Sequence, residues 1–203
     1  MLKEANLDQR KKDILRSRIF DIAEKGMGNY ESRFVLEWAE DASRLLEASG
    51  SDDDDSGSSV YFSPGEECRD AIITLIRSAR RSLDICVFTI SDDEISKAIL
   101  DRHKMGTPIR LISDNDKCHD ACSDIFRLND AGIHVRLDDT DHHMHHKFAV
   151  VDREVLLTGS YNWTRSAAKY NEENILVTRE RGVVAEFQKE FDRLWKKEMV
   201  DLS

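Results

Sequence analysis

The chain of 203 residues contains no apolar run that approaches the length of a membrane-spanning helix, which needs about 18 residues. Its first residues, Met1 to Asn6, also lack the apolar core of a signal peptide. The 40% hydrophobic and 34% charged residues are typical of a globular protein. We therefore expect no transmembrane segment and a cytoplasmic location.

Cysteine is scarce, with four residues at Cys68, Cys86, Cys118 and Cys122. In a reducing cytoplasm these thiols need not pair. Cys118 and Cys122 with His119 lack a second ligand pair at the spacing that zinc sites use, so we predict no metal site. Cys86 lies in an apolar run and is expected in the core.

The chain has fewer basic than acidic side chains, 30 against 40, which gives a formal net charge of −10. A nucleic-acid enzyme normally carries a basic surface, so any such patch must be local. A run of arginines at the end of a helix is more often simply solvated. The candidates for a basic patch are Arg77, Arg80, Arg81, Lys147, Arg165 and Lys169.

The chain divides into an N-terminal helical extension at residues 1–48, an acidic flexible linker at 49–59 and a catalytic domain at 60–203. Two amphipathic helices are predicted in the extension, over residues 8–25 and 30–48. Such short helices bury little surface alone. We expect them to dock on the core, on a second subunit or on a partner protein.

From residue 60 onward, predicted strands alternate with predicted helices. This alternation indicates an α/β sandwich with a central mixed, largely parallel sheet flanked by helices. Ser63 followed by Pro64 is typical of a helix N-cap. Strands are predicted at 60–62, 83–90, 109–113, 133–137, 145–152, 154–158 and 174–177, and helices at 63–79, 92–104, 116–131 and 183–197.

One segment combines several groups that suit a phosphate. His145 and Lys147 project to the same side of a predicted strand, because side chains alternate along strands. The hairpin partner at residues 154–158 ends in a glycine turn that presents Ser160 and Asn162. An imidazole, an ammonium, a hydroxyl and an amide can thus meet at one point.

A histidine two residues before a lysine is by itself usually a pair of exposed side chains without a catalytic function. The full pattern, however, runs from His145 through Asp152 to Asn162 and resembles the signature of the phospholipase D superfamily. Glu173 lies in a following strand that resembles the NxEN segment of the small single-motif members. These members include the Nuc-type endonucleases and the mitochondrial cardiolipin hydrolases (Zucchini). The resemblance covers about residues 60–199.

This resemblance implies a metal-independent phosphodiesterase without a cofactor. Aspartates after a predicted strand, such as Asp114, could border the cleft or cap the next helix. Asp152 has the wrong strand parity for the cleft, so we expect it to orient the hairpin. The candidate catalytic residues are His145, Lys147, Asn162, Glu173 and Asp152, and the candidate substrate-binding residues are Ser160, Lys147 and Asp114.

In-line attack on a phosphodiester needs a nucleophile and an acid on opposite faces of the phosphorus, yet the chain has one HxK motif. A two-fold homodimer would supply the second His145. One imidazole would form a phosphohistidine and the other would protonate the leaving oxygen. Lys147 would neutralise charge, Asn162 and Ser160 would bind phosphoryl oxygens, and Glu173 would accept from Nδ1–H.

The leading hypothesis is an endonuclease that cleaves DNA or RNA. The alternative is a phospholipase D or cardiolipin hydrolase, which uses the same chemistry. A third hypothesis is a nucleic-acid-binding subunit with an unused site. If a chelator abolished activity and Mg²⁺ restored it, a carboxylate site built from Asp138, Asp139 or Asp141 would replace the histidine mechanism.

Overall fold

The computed structural model describes residues 57–118, 123–197 and 199–202. The helices predicted at 8–25 and 30–48 lie outside these residues, as does most of the linker. The division of the chain at residues 48 and 60 therefore stays a prediction. Within the described residues, no helix is both long and apolar enough to cross a membrane.

Eight strands form one sheet in the described part of the chain. Their order across the sheet is β1-β7-β6-β5-β2-β3-β4-β8. The strands are β1 (Ser59–Ser63), β2 (Leu83–Val87), β3 (Ile109–Ser113), β4 (His134–Asp138), β5 (Lys147–Val151), β6 (Val155–Gly159), β7 (Glu173–Thr178) and β8 (Met199–Asp201). The helices are α1 (Glu67–Ser78), α2 (Asp93–Lys104), α3 (Asn115–Cys118), α4 (Ile125–Asp130), α5 (Arg165–Tyr170) and α6 (Arg181–Lys196).

The sheet is mixed and flanked by helices, which confirms the predicted fold class. The expectation that the sheet is largely parallel is wrong, because among the described strands only β2–β3 and β3–β4 pair in parallel. The other five ladders are antiparallel. Three residues join β5 to β6, and so short a connection permits a hairpin but no crossover.

Two local expectations are corrected. Ser63 does not cap a helix: it ends β1, and α1 begins at Glu67. The Ser63 hydroxyl instead donates to the Asn171 carbonyl and accepts from the Glu173 N–H, which ties β1 to the start of β7. The helix predicted at 116–131 consists of α3 and α4, with residues 119–122 between them outside the described part.

Helices cover both faces of the sheet because alternate strand residues point to opposite sides. On one face, the side chains of Leu83, Ile85 and Val87 pack with α1 and α2. On the other face, Cys86 and Phe148 pack against α6. Cys86 is fully buried, as predicted.

A buried ion pair lies under α6. Asp84 is 2% exposed and accepts two hydrogen bonds from Arg110, at 2.8 and 2.7 Å. Gln188 of α6 donates to the same carboxylate at 2.8 Å, and Arg110 also bonds Asp192. Since an unpaired buried carboxylate would be costly, this network fixes the register of α6 on β2 and β3.

Candidate active site

The sheet topology brings the candidate residues to one edge. β5 runs antiparallel to β2, so Lys147 pairs with Val87 at the carboxyl end of β2. β6 returns antiparallel to β5, and Gly159 at its end pairs with Ile175 near the start of β7. The residues before β5, after β6 and at the start of β7 therefore meet.

His145 and Lys147 are in direct contact, as the strand parity predicted. Lys147 Nζ lies 3.0 Å from His145 Nδ1 and donates to the His145 carbonyl at 2.8 Å. Lys147 is only 7% exposed, whereas the His145 ring reaches solvent. An ammonium beside Nδ1 favours the neutral tautomer that carries its proton on Nε2.

The ring of Phe88, just after β2, lies against both groups. Its centroid is 4.4 Å from that of His145, and Lys147 Nζ lies 5.1 Å from it. Contact of an ammonium with an aromatic face is attractive. Phe88 therefore holds the pair in place and removes water from one side.

Burial and charge shift the pKa values of both groups. Desolvation is the main cause that lowers the pKa of His145, followed by the positive charges of Lys147 and His143. Desolvation also lowers the pKa of Lys147, and the Glu173 carboxylate opposes this shift. A lowered pKa leaves more of the His145 imidazole neutral near pH 7, as a nucleophile requires.

Asn162 is placed by a rigid turn. Tyr161 and Trp163 on either side of it are fully buried, and the Trp163 carbonyl accepts from the Ser91 N–H. Thr164 then caps α5 by accepting from the Ala167 N–H. Among the described residues, the Asn162 side chain makes no hydrogen bond, although its Oδ1 is buried. The Oδ1 atom can only accept, so the Nδ2 hydrogens are the donors that a phosphoryl oxygen could use.

Gly159 and Ser160 lie where β6 approaches β7 most closely. A Cβ atom on Gly159 would stand 2.0 Å from the Asn174 carbonyl oxygen, so only glycine fits. The Ser160 N–H donates to that carbonyl, and its hydroxyl accepts from the Asn174 N–H. Ser160 is exposed, and its hydroxyl hydrogen is available to a substrate oxygen.

Glu173 lies at the start of β7, close enough to act electrostatically on the pair. Its charge raises the pKa of both His145 and Lys147. Its carboxylate accepts from the Asn171 amide at 3.1 Å, and not from the imidazole as expected. The position beside His145 Nδ1 is occupied by Lys147 instead.

Asp152 lies at the other end of β5, and this removes it from the candidate catalytic residues. Its carboxylate accepts from the backbone N–H groups of Arg80, Arg81 and Ser82, at 3.1, 2.6 and 2.9 Å. It begins the β5–β6 turn, with φ at 55°. These contacts agree with the expected role of orienting the hairpin.

Asp114 is fully buried and is not free to bind substrate, contrary to expectation. It accepts from the N–H groups of Met144 and Asp116, and it lies 3.2 Å from His143 Nδ1. Its contact with Asp116 matches the capping alternative. Ligand atoms of Asp114, Asp116 and His143 lie within 4.8 Å of one another. Because these hydrogen bonds already engage Asp114, we assign no metal to the group.

The candidate basic residues do not form one patch. The backbones of Arg80 and Arg81 bind Asp152, away from the site. Arg165 pairs with Asp93 at 2.8 Å.

Sequence reasoning did not assign His143 to the site. Its tie to Asp114 spans 29 residues, which local patterns do not reveal.

Comparisons with known proteins agree with this arrangement. Residues 72–195 match the protein family described as "Cardiolipin synthase, PLD-like domain". The chain is 52% identical over 118 residues to a mitochondrial cardiolipin hydrolase of Chlamydomonas reinhardtii, covering 58% of this chain and 53% of the relative. It is 40% identical over 132 residues to the Homo sapiens protein of that name, covering 65% and 52%. The chain thus spans about half the length of these two curated relatives.

Among solved structures, the fold is similar to Nuc, a phospholipase D family member from Salmonella typhimurium. The TM-score is 0.67 at 24% identity, and the match covers 71% of this chain and 97% of that chain. NucT from Helicobacter pylori gives a TM-score of 0.65 at 24% identity, covering 72% and 99%. These two likenesses concern the fold.

Proposed function

Because the chain belongs to the phospholipase D superfamily, within its family of PLD-like domains, we propose that it is a metal-independent phosphodiesterase that cleaves DNA or RNA as an endonuclease. The observation that carries this proposal is the contact between His145 and Lys147, with Asn162 in the turn that follows β6. A nucleophile, a fixed cation and an unpaired amide at one edge match the needs of phosphoryl transfer.

The catalytic cycle uses two subunits of a homodimer. Nε2 of one His145 attacks phosphorus, and the P–O bond to the leaving group breaks. His145 of the partner subunit gives its Nε2 proton to the leaving oxygen while its Nδ1 takes a proton from Lys147, so that the ring stays neutral. When Nε2 then takes a proton from water, Nδ1 returns its proton to Lys147. That water attacks phosphorus and breaks the P–N bond, which restores both imidazoles.

The two imidazoles need different tautomers. With Lys147 beside Nδ1, the Nε2 proton is in place, as the leaving-group acid requires. The nucleophile instead needs a free lone pair on Nε2 and therefore a proton on Nδ1. In that subunit Lys147 moves from Nδ1 toward the phosphoryl oxygens, and Glu173 becomes the acceptor.

Nucleic acid is the proposed substrate because the exposed side chains around the pair are polar. His143, Ser160 and Asn171 are all exposed. Tyr170, which precedes Asn171 in the chain, is 77% exposed and offers a ring on which a base can stack. Phosphates and bases of a single strand can use both kinds of group.

A cardiolipin hydrolase is the second candidate, and the names of the relatives favour it. Tyr170 and Phe62, which is 63% exposed, would then contact acyl chains instead of bases. The same names point to mitochondria, whereas we retain a cytoplasmic location as the prediction. A partner protein for residues 1–48 stays a prediction as well.

One experiment tests the proposal. The purified 203-residue chain is incubated in EDTA with labelled single-stranded DNA, double-stranded DNA, RNA and cardiolipin vesicles. Cleavage of a nucleic acid that His145→Ala lowers by at least about 10³-fold supports the proposal. Cleavage of cardiolipin alone would favour the second candidate. Activity that appears only when Mg²⁺ is added would refute the histidine mechanism.

A further inference from the structure

A second histidine lies beside His145. His143 is 54% exposed, and its Nδ1 lies 3.2 Å from Oδ2 of the fully buried Asp114. The same carboxylate accepts from the Met144 N–H at 3.0 Å, so both the ring and its backbone are held. A carboxylate only accepts, so it keeps a proton on Nδ1 and leaves Nε2 as the free nitrogen of the ring.

Phe88 joins the two histidines. The centroid of its ring is 4.4 Å from that of His145 and 5.4 Å from that of His143, which it meets edge to face. The two imidazoles therefore contact the same aromatic ring. Both rings are exposed before the start of β5.

We propose that His143 binds the phosphate next to the scissile one, so that the site takes a strand with at least two consecutive phosphates. This inference rests on the proposed nuclease function and extends it. His145 serves the phosphate that is cleaved, and His143 fixes the register of the strand by a contact that carries no sequence information. Asp114 holds the ring of His143 and does not itself touch the substrate.

The fixed tautomer decides which form of His143 makes the contact. With Nδ1–H held by Asp114, Nε2 is an acceptor in the neutral ring and a donor in the imidazolium. Only the imidazolium can bond a phosphate oxygen through Nε2. The titratable or charged groups around it are Asp114, Asp116, His145 and, beyond His145, Lys147. The contact is therefore a charge-assisted hydrogen bond from the ring of His143 to a phosphate oxygen.

The test compares two substrates of the purified 203-residue chain. Bis(p-nitrophenyl) phosphate has one phosphodiester, and a single-stranded oligonucleotide has many. His143→Ala should raise the KM for the oligonucleotide about tenfold, the effect of one lost charge-assisted hydrogen bond. The kcat for the oligonucleotide and the kcat/KM for the small diester should change less than about twofold, a split that a general structural defect would not produce.

Two further variants sharpen the result. His142→Ala changes an exposed neighbour on the same loop and should behave like the wild type. His143→Gln retains an N–H donor, so its KM for the oligonucleotide should lie closer to that of the wild type than the KM of His143→Ala does. Thermal unfolding of each variant shows that it is folded.

Each contrary outcome is distinct. Equal losses on both substrates would overturn the inference, because His143 would then act on the chemistry or on His145. No loss on either substrate would overturn it too. If the wild type cleaves the small diester but no oligonucleotide, the proposed function falls and the inference falls with it.

Discussion

Replacing Asp152 should destabilise the protein without slowing the chemistry at His145. Asp152 follows His145 by seven residues, and a strand rises about 3.3 Å per residue, so the two lie roughly 20 Å apart. Its carboxylate binds three backbone N–H groups at the start of β2. It therefore acts on the hairpin that carries the site and has no contact with the reacting atoms.

The magnitude follows from these bonds. A hydrogen bond to a charged group contributes about 1.5–3 kcal/mol, but water can replace much of this at exposed positions. Three such bonds, partly exposed, amount to about 2 kcal/mol. Alanine at φ 55° adds about 1 kcal/mol, because residues other than glycine, asparagine and aspartate avoid this region. Asp152→Ala should therefore lower the free energy of unfolding by about 3 kcal/mol.

Urea unfolding measures this loss in the free energy of unfolding, and an unchanged m-value would indicate that only the stability has changed. Asp152→Asn is the matched control, since asparagine tolerates the positive φ and keeps one acceptor; it should lose about 1 kcal/mol. The kcat of both variants, measured where they are folded, should stay within about threefold of the wild type. A stable Asp152→Asn protein with kcat reduced about 10³-fold would refute the reasoning and return Asp152 to the catalytic residues.

Three other changes test separate parts of the account. Lys147→Met should raise the pKa of His145, seen by NMR titration, and lower kcat at least about 100-fold; an unchanged titration would contradict the contact. Arg153→Gly should stabilise the turn by about 0.5–1 kcal/mol in urea unfolding, because Arg153 has φ at 60°. Arg110→Met should cost about 3–5 kcal/mol, because Asp84 would lose its cation and keep only the hydrogen bond from Gln188, and a loss below about 1 kcal/mol would show that the ion pair is dispensable.

The sequence predicted those features that depend on local periodicity. β3 and the β5–β6 hairpin are short apolar segments between polar turns, and their existence follows from the pattern. Strand parity alone predicts that the side chains of His145 and Lys147 project to the same side of the strand. Helix α5 was missed because six residues give too little periodicity to stand out.

Contacts between distant residues could not be read from the sequence. The carboxylate of Asp152 accepts hydrogen bonds from N–H groups 70 to 72 residues earlier in the chain. Asp152 therefore belongs to the motif but has a structural role. Asp114 was expected to reach substrate, but the loop at His143 and Met144 closes over it. Glu173 was predicted to accept a hydrogen bond from His145 Nδ1. The structure places Lys147 beside that nitrogen instead, because the two residues are close neighbours along the chain.

The central claim is that two His145 side chains share one site across a dimer axis. Wild-type and His145→Ala subunits are mixed, allowed to exchange, and assayed for cleavage of single-stranded DNA in EDTA. If both imidazoles serve one reaction, activity falls with the square of the wild-type fraction, to about one quarter in an equal mixture that pairs at random. A linear fall, to about one half, would mean that each subunit works alone and would contradict the account.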